Sequence, residues 1–228
     1  MSRRWEHRLS EIDKAVIEKA GYGKCMEMGK RPALVLIDFQ YNYVGDDSPI
    51  LEQLERWPSA GGEIAWAAAR EALSVLEKAR EKRLPILFTR NVQQYLRFDS
   101  FSRKTQRNQE QYRVGSQGVE IIDLLAPKEG ELVLDKAYAS AFYATPLESW
   151  LTGLGIDSLI VMGGTTGGCV RSTVVDAVSR NYRVAVVEGC LFDRISFSHD
   201  AALLDMWMKY CNVSSKSEIM EYLDKLSE

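Results

Sequence analysis

Cys169 is the residue in this chain best placed by its neighbours to act as a nucleophile. It follows the apolar run Ser158-Leu159-Ile160-Val161-Met162 and the bend Gly163-Gly164-Thr165-Thr166-Gly167-Gly168, and it precedes the helix-like Val174-Val175-Asp176-Ala177-Val178. A cysteine in the first turn of a helix meets free N–H groups and the positive end of the dipole, which favours the thiolate. Asp38 closes the run Ala33-Leu34-Val35-Leu36-Ile37, and Lys136 follows Leu132-Val133-Leu134-Asp135. An aspartate beside the cysteine takes the thiol proton, and a lysine nearby holds the carboxylate ionised and favours the thiolate. Together they form a nucleophile, a base and an electrostatic partner without histidine. Each alone has a plainer reading: Asp38 as turn chemistry, Lys136 as a solvated charge, Cys169 as a small buried residue. The conjunction is stronger than any member if all three face one crevice. An activated Cys169 is then expected to alkylate faster near neutral pH than Cys25, Cys190 or Cys211.

The elements that must position them alternate. Residues 1–30 read as an N-terminal arm carrying a helix over 10–20, ended by Gly21-Tyr22-Gly23. Strands are expected over 32–38, 85–89, 131–135, 159–162 and 183–187, with helices over 62–83, 118–125, 145–153, 169–181 and 198–210 and a last one opening at Ser215. Thr145-Pro146-Leu147-Glu148 and Ser215-Lys216-Ser217-Glu218 both carry the capping-box spacing. Segments 39–60 and 91–118 read as long loops, the second polar and suited to substrate or subunit contact. Alternation of this kind predicts an α/β fold: a single three-layer α/β/α domain over 31–228 with a mostly parallel sheet. Ligands of such sheets bind at the carboxyl ends of the strands, where Asp38, Lys136 and Cys169 all stand.

Composition narrows the function classes. The 228 residues are 46% hydrophobic and 27% charged, with a net charge of −3, giving no electrostatic footprint for nucleic acid. Apolar runs fall far short of the roughly 20 residues a membrane span needs. The N-terminal residues lack the apolar core of a signal peptide, so a cytoplasmic protein is expected. The four cysteines show no paired spacing and read as free thiols. With His7 and His199 the only histidines, a multi-histidine metal site is not expected, and neither metal nor organic cofactor is required.

Asp38 after its PALVLI strand, Lys136 in Asp135-Lys136-Ala137-Tyr138-Ala139-Ser140-Ala141-Phe142, and the loop from Gly163 to Arg171 together resemble the isochorismatase-like cysteine hydrolase superfamily. Within it the chain most resembles the N-carbamoylsarcosine amidase branch, through Gly21-Tyr22-Gly23 with Gly29-Lys30-Arg31-Pro32, and through Thr165-Thr166-Gly167-Gly168-Cys169-Val170-Arg171. The resemblance implies a triad of Asp38, Lys136 and Cys169. It implies a cis peptide between Gly164 and Thr165, with the Thr165 and Cys169 N–H groups turned to a developing oxyanion. It implies that Arg194 clamps a substrate carboxylate, with Thr166 adding its hydroxyl; the plainer reading of Arg194 is a salt bridge to Asp193 or Asp200. The implied reaction cleaves the C–N bond of a small anionic amide or ureido acid and releases ammonia. A maleamate-type amidase and a non-catalytic binding or regulatory member are the alternatives. A homotetramer or homodimer is implied, and an arm carrying Trp5 and Tyr22 suits a subunit contact. The chain departs from relatives too. It lacks the Asp-x-His metal pattern of nicotinamidases, and its cysteine is absent from true isochorismatases, so vinyl-ether hydrolysis is not expected. Cys190 reads as a packing residue, and His199 as a residue of the first turn of a helix beside Asp200, not a catalytic one.

Overall fold

The computed structural model describes residues 3–95 and 109–226. Its centre is a six-stranded sheet of β1 (Pro32–Ile37), β2 (Ile86–Asn91), β3 (Leu132–Lys136), β4 (Ser158–Gly164), β5 (Arg183–Phe192) and β6 (Asn212–Ser214). The strand order is β3-β2-β1-β4-β5-β6, and every pairing is parallel. The helices are α1 (Glu11–Ala20), α2 (Tyr41–Val44), α3 (Ile50–Gln53), α4 (Gly62–Glu81), α5 (Leu147–Gly153), α6 (Arg171–Ser179), α7 (Ser196–Lys209) and α8 (Lys216–Lys225).

The sheet is covered on both faces, which is why its central strands are unbroken apolar runs. Strand residues point alternately to opposite faces. Leu34 and Leu36 of β1 pack with Ala65, Ala69, Ala72, Leu76 and Ala79 of α4 and with Ile219 and Leu223 of α8. Ala33, Val35 and Ile37 pack the other way, against Leu147 and Leu151 of α5, Val174 and Ala177 of α6, and Leu203 and Met206 of α7. The alanines of α4 recur at three- and four-residue spacing, so one stripe of that helix lies close on the sheet. Fully burying each large aliphatic side chain in these layers stabilises the fold by about 1.5–3 kcal/mol. Among the described residues no helix is long and apolar enough to cross a membrane.

Topology places the site. The chain winds from β1 outward through β2 and β3, returns to β4, and winds the other way through β5 and β6. The carboxyl ends of β1 and β4 therefore flank the point where the winding reverses, and the two connections leaving them open a crevice.

The local differences from the sequence reading have local causes. Segment 39–60 contains α2 and α3, held by Gln53, whose side chain bonds the backbone at Asp46 and Ser48. Segment 118–125 forms two 3-10 turns, Gln117–Val119 and Asp123–Leu125, because Ile121 between them bridges to Gln40 as extended chain. The Ser215 capping box forms; the one at Thr145 does not. There Thr145 donates to the Ala141 carbonyl and Glu148 turns away to Arg180. The polar strand β6 has too few apolar residues to announce itself. Of the 91–118 loop, 96–108 lie outside the described residues.

Trp5 is 1% exposed and packs on Trp207 at 5.8 Å between ring centroids. It fills the core of its own chain and is not available as the subunit contact expected of it. Tyr22 is exposed.

Candidate active site

β1, β2 and β3 end side by side and supply one charged cluster. Asp38, the residue after β1, has a φ of +50°, a left-handed conformation that few non-glycine residues adopt and that is common at functional sites. It turns the side chain back over the strand ends. Thr89 of β2 donates its hydroxyl to Asp38 Oδ1 at 2.5 Å, and Lys136 Nζ donates to Oδ2 at 2.8 Å. Lys136 starts two strands away on the sheet edge, about 10 Å from β1, a distance that its long stem and the returning Asp38 side chain close between them. Its Nζ also donates to the Tyr138 carbonyl at 3.2 Å. The Asp38–Lys136 ion pair is wholly buried.

β4 delivers the cysteine. Where it passes β1, Gly163 has φ +113°, and a Cβ there would lie 2.0 Å from the Ile37 carbonyl oxygen. The following Gly164–Thr165 peptide is cis. Cys169 lies in a π turn, Thr166–Val170, ahead of α6, and its thiol interacts with both Asp38 and Lys136. The expectation that a helix start keeps it as thiolate needs correction. Cys169 is 3% exposed, and burial pushes its thiol up to about 12; Lys136 opposes this and Asp38 adds to it. Burial by itself would lower Lys136, but the Asp38 charge and Cys169 outweigh it and hold the ammonium above its ordinary range. Cys169 and Lys136 are thus both shifted toward their protonated forms, beside the Asp38 side chain.

The loop is braced from β5 and α7. Thr166 Oγ1 donates to the Phe192 carbonyl at 3.1 Å and lies 2.8 Å from His199 Nδ1. Burial, with Arg4 adding to it, pulls His199 down to about 4. Its ring is therefore neutral near pH 7, and its Nδ1–H is assigned as donor to Thr166 because the hydroxyl proton is already given to Phe192. Thr166 is fully buried and engaged by the protein, so the carboxylate contact expected of its hydroxyl is not formed from this position. Gly167 N donates to Asp193 Oδ2 at 2.9 Å, and Arg194 N donates to Asp193 Oδ1 at 2.8 Å. Asp193 thereby ties Arg194 to the nucleophile loop. The Arg194 side chain makes neither salt bridge of its plainer reading: its Nη1 donates to the Ser59 carbonyl, while Asp200 is taken by Arg4 and Arg8 at 2.7 and 2.9 Å. Cys190 is fully buried in the α4 side of the core.

Thr89, Gln40 and Asn91 escaped the sequence reading, and Asp193 entered it only as a salt-bridge partner for Arg194. Gln40 pins the backbone of Asn91, accepting from its N–H and donating to its carbonyl. A signal existed: Thr89, Asn91 and Gln93 alternate as polar residues directly after the apolar Ile86-Leu87-Phe88. Among the described residues no cluster of His, Cys, Asp and Glu is placed to hold a metal ion.

Comparison with known proteins gives the family and the fold. Residues 32–218 match the isochorismatase domain. The chain is 32% identical to the maleamate amidohydrolase of Pseudomonas putida over 209 residues, covering 90% of this chain and 93% of that one. It is 30% identical to the N-carbamoylsarcosine amidase of an Arthrobacter species over 225 residues, covering 96% and 81%. The crystal structure of N-carbamoylsarcosine amidase from Thermoplasma acidophilum superposes with a TM-score of 0.66 at 28% identity, covering 82% of this chain and 96% of that one. The chain belongs to the isochorismatase domain family and is a hydrolase.

Proposed function

We propose that the protein hydrolyses the C–N bond of a small carboxylate-bearing amide or ureido acid, with Cys169 as nucleophile and ammonia as the nitrogen product. The observation that carries this reading is the meeting of the Cys169 thiol with the buried Asp38–Lys136 pair, 2.8 Å apart, at the sheet's switch point. In the first half-reaction Asp38 takes the thiol proton as sulfur attacks the substrate carbonyl. A C–S bond forms, and the oxyanion is held by the Thr165 and Cys169 N–H groups. The intermediate collapses, the C–N bond breaks, and Asp38 returns the proton to the departing nitrogen. In the second, Asp38 takes a proton from water, the hydroxyl attacks the thioester or thiocarbamate, and the C–S bond breaks with the proton returning to sulfur. Lys136 stays protonated throughout, paired with the Asp38 side chain.

Arg194 selects the carboxylate. Its guanidinium is anchored at Ser59 and stands beside the nucleophile loop through Asp193, and a planar fork suits a carboxylate. Maleamate and N-carbamoylsarcosine, the substrates in the relatives' names, both carry one. Exposed Ile12 and Val16 on α1 and Phe197 on α7 support a homo-oligomer, dimer or tetramer. Four unpaired cysteines support a cytoplasmic location.

Ammonia release from a panel of carboxylated amides and ureas, with matched neutral amides, tests the reading. Wild type is expected to turn over a carboxylated member, and Cys169→Ala to bind it without turnover. Full activity in that variant removes Cys169 from its role. Arg194→Ala is expected to raise KM at least tenfold for the carboxylated substrate and to change it little for a neutral amide; an equal rise for both makes Arg194 structural.

A further inference from the structure

Asn91 closes β2 in register with Lys136 of β3. It stands two residues beyond Thr89, whose hydroxyl holds Asp38. Residues two apart on a strand share a face. Leu87, Leu134 and Cys169 belong to one core cluster, so the series Leu87-Thr89-Asn91 and the pair Leu134-Lys136 lie on the Cys169 face of the sheet. The Asn91 side chain therefore lies on that face at the strand ends, next to Lys136 in register. It is 0% exposed. Its Oδ1 and Nδ2 find no hydrogen-bond partner among the described residues, although its backbone N–H and carbonyl are both taken by Gln40. Native proteins leave few buried carboxamides unmet, because each unmet group forfeits its bonds to water.

We propose that Asn91 is a specificity residue that recognises the nitrogen side of the scissile group. This rests on the amidohydrolase reading above. A carboxamide offers an acceptor and a donor side by side, the complement of a substrate amide or ureido head. Asn91 Oδ1 accepts an N–H from the nitrogen that Asp38 will protonate. The incoming water occupies the same place in the second half-reaction, and its O–H meets the same acceptor. Gln40 fixes the backbone so that the carboxamide is held out rather than folded onto its own strand. A site built to receive an N–H rejects an analogue that lacks one, because the buried acceptor is then left unmet.

The test uses succinamate and monomethyl succinate, near-isosteres that differ in whether the group beside the carbonyl can donate. Affinities are measured calorimetrically with the full chain carrying Cys169→Ala, so that no turnover intervenes, with and without Asn91→Leu. Asn91→Leu is expected to weaken succinamate about tenfold and to leave monomethyl succinate unchanged. Equal weakening of both, or weakening of neither, overturns the proposal. Thermal unfolding separates a structural role. With no side-chain partner among the described residues to lose, Asn91→Leu should keep or raise Tm, and a fall of several degrees overturns the proposal. Absence of succinamate binding by the Cys169→Ala protein overturns it as well. Binding by that protein, without ammonia release by the wild type from any amide, sinks the reaction and leaves Asn91 as an amide-recognition residue.

Discussion

His199 is a side chain whose ionisation reaches the nucleophile loop without touching the chemistry. It is held neutral at 5% exposure, down from 6.5 to about 4, and its ring supports Thr166. Between those two values the unfolded chain takes up a proton that the folded chain refuses, so this contribution is present above about pH 6.5 and is lost as pH falls toward 4. It amounts to at most about 3 kcal/mol. His199→Gln is expected to lower Tm at pH 7, and its deficit against wild type should shrink toward pH 4.5; a deficit that widens on acidification refutes the assignment. The cysteines divide equally clearly. Cys25 is exposed, whereas burial pushes Cys169, Cys190 and Cys211 up to about 12. Iodoacetamide at pH 7.5 should therefore label Cys25 first, the reverse of what a standing thiolate at Cys169 implies. Mass spectrometry of the timed reaction decides, and prior modification of Cys169 counts against the thiol ground state.

At the scale of elements, two strand ends set the geometry. Thr89 donates its hydroxyl to one oxygen of the Asp38 carboxylate and Lys136 its ammonium to the other. Thr89→Val keeps the shape and removes the hydroxyl, and is expected to lower kcat about tenfold with little change in KM, the scale of one hydrogen bond to a charged group. A change confined to KM would place Thr89 in substrate binding instead. The end of β4 has no such tolerance. A methyl group on Gly163 would meet backbone rather than a mobile side chain, 2.0 Å from Ile37 O, at a φ of +113°. Gly163→Ala should cost about 3 kcal/mol or more, read as a fall in denaturant midpoint or as loss of soluble protein. The glycines of this loop were visible in the sequence as a bend; which of them is sterically obligatory depends on β1 passing alongside.

Over the whole molecule, the N-terminal arm is bound to the domain that holds the chemistry. Trp5 is buried against Trp207, and Arg4 and Arg8 converge on Asp200, the neighbour of His199. Trp5→Ala should destabilise by about 3 kcal/mol, checked by thermal unfolding. An unchanged Tm would mean that the arm is held by its ion pairs alone. The sequence by itself determined the alternation of buried strands and amphipathic helices, and hence the parallel three-layer class, because periodicity and apolar runs are local properties. It also marked Asp38, Lys136 and Cys169, because reactive residues at strand ends stand out from the apolar runs before them. Only the tertiary structure decided their working state. Burial pushes the Cys169 thiol up to about 12, and the Thr166 hydroxyl is engaged with His199 and Phe192. Asn91 is buried with its carboxamide unmet among the described residues, and Trp5 packs inward. Each of these depends on what lies opposite a side chain across 50 to 200 residues of sequence, and no local pattern carries that information.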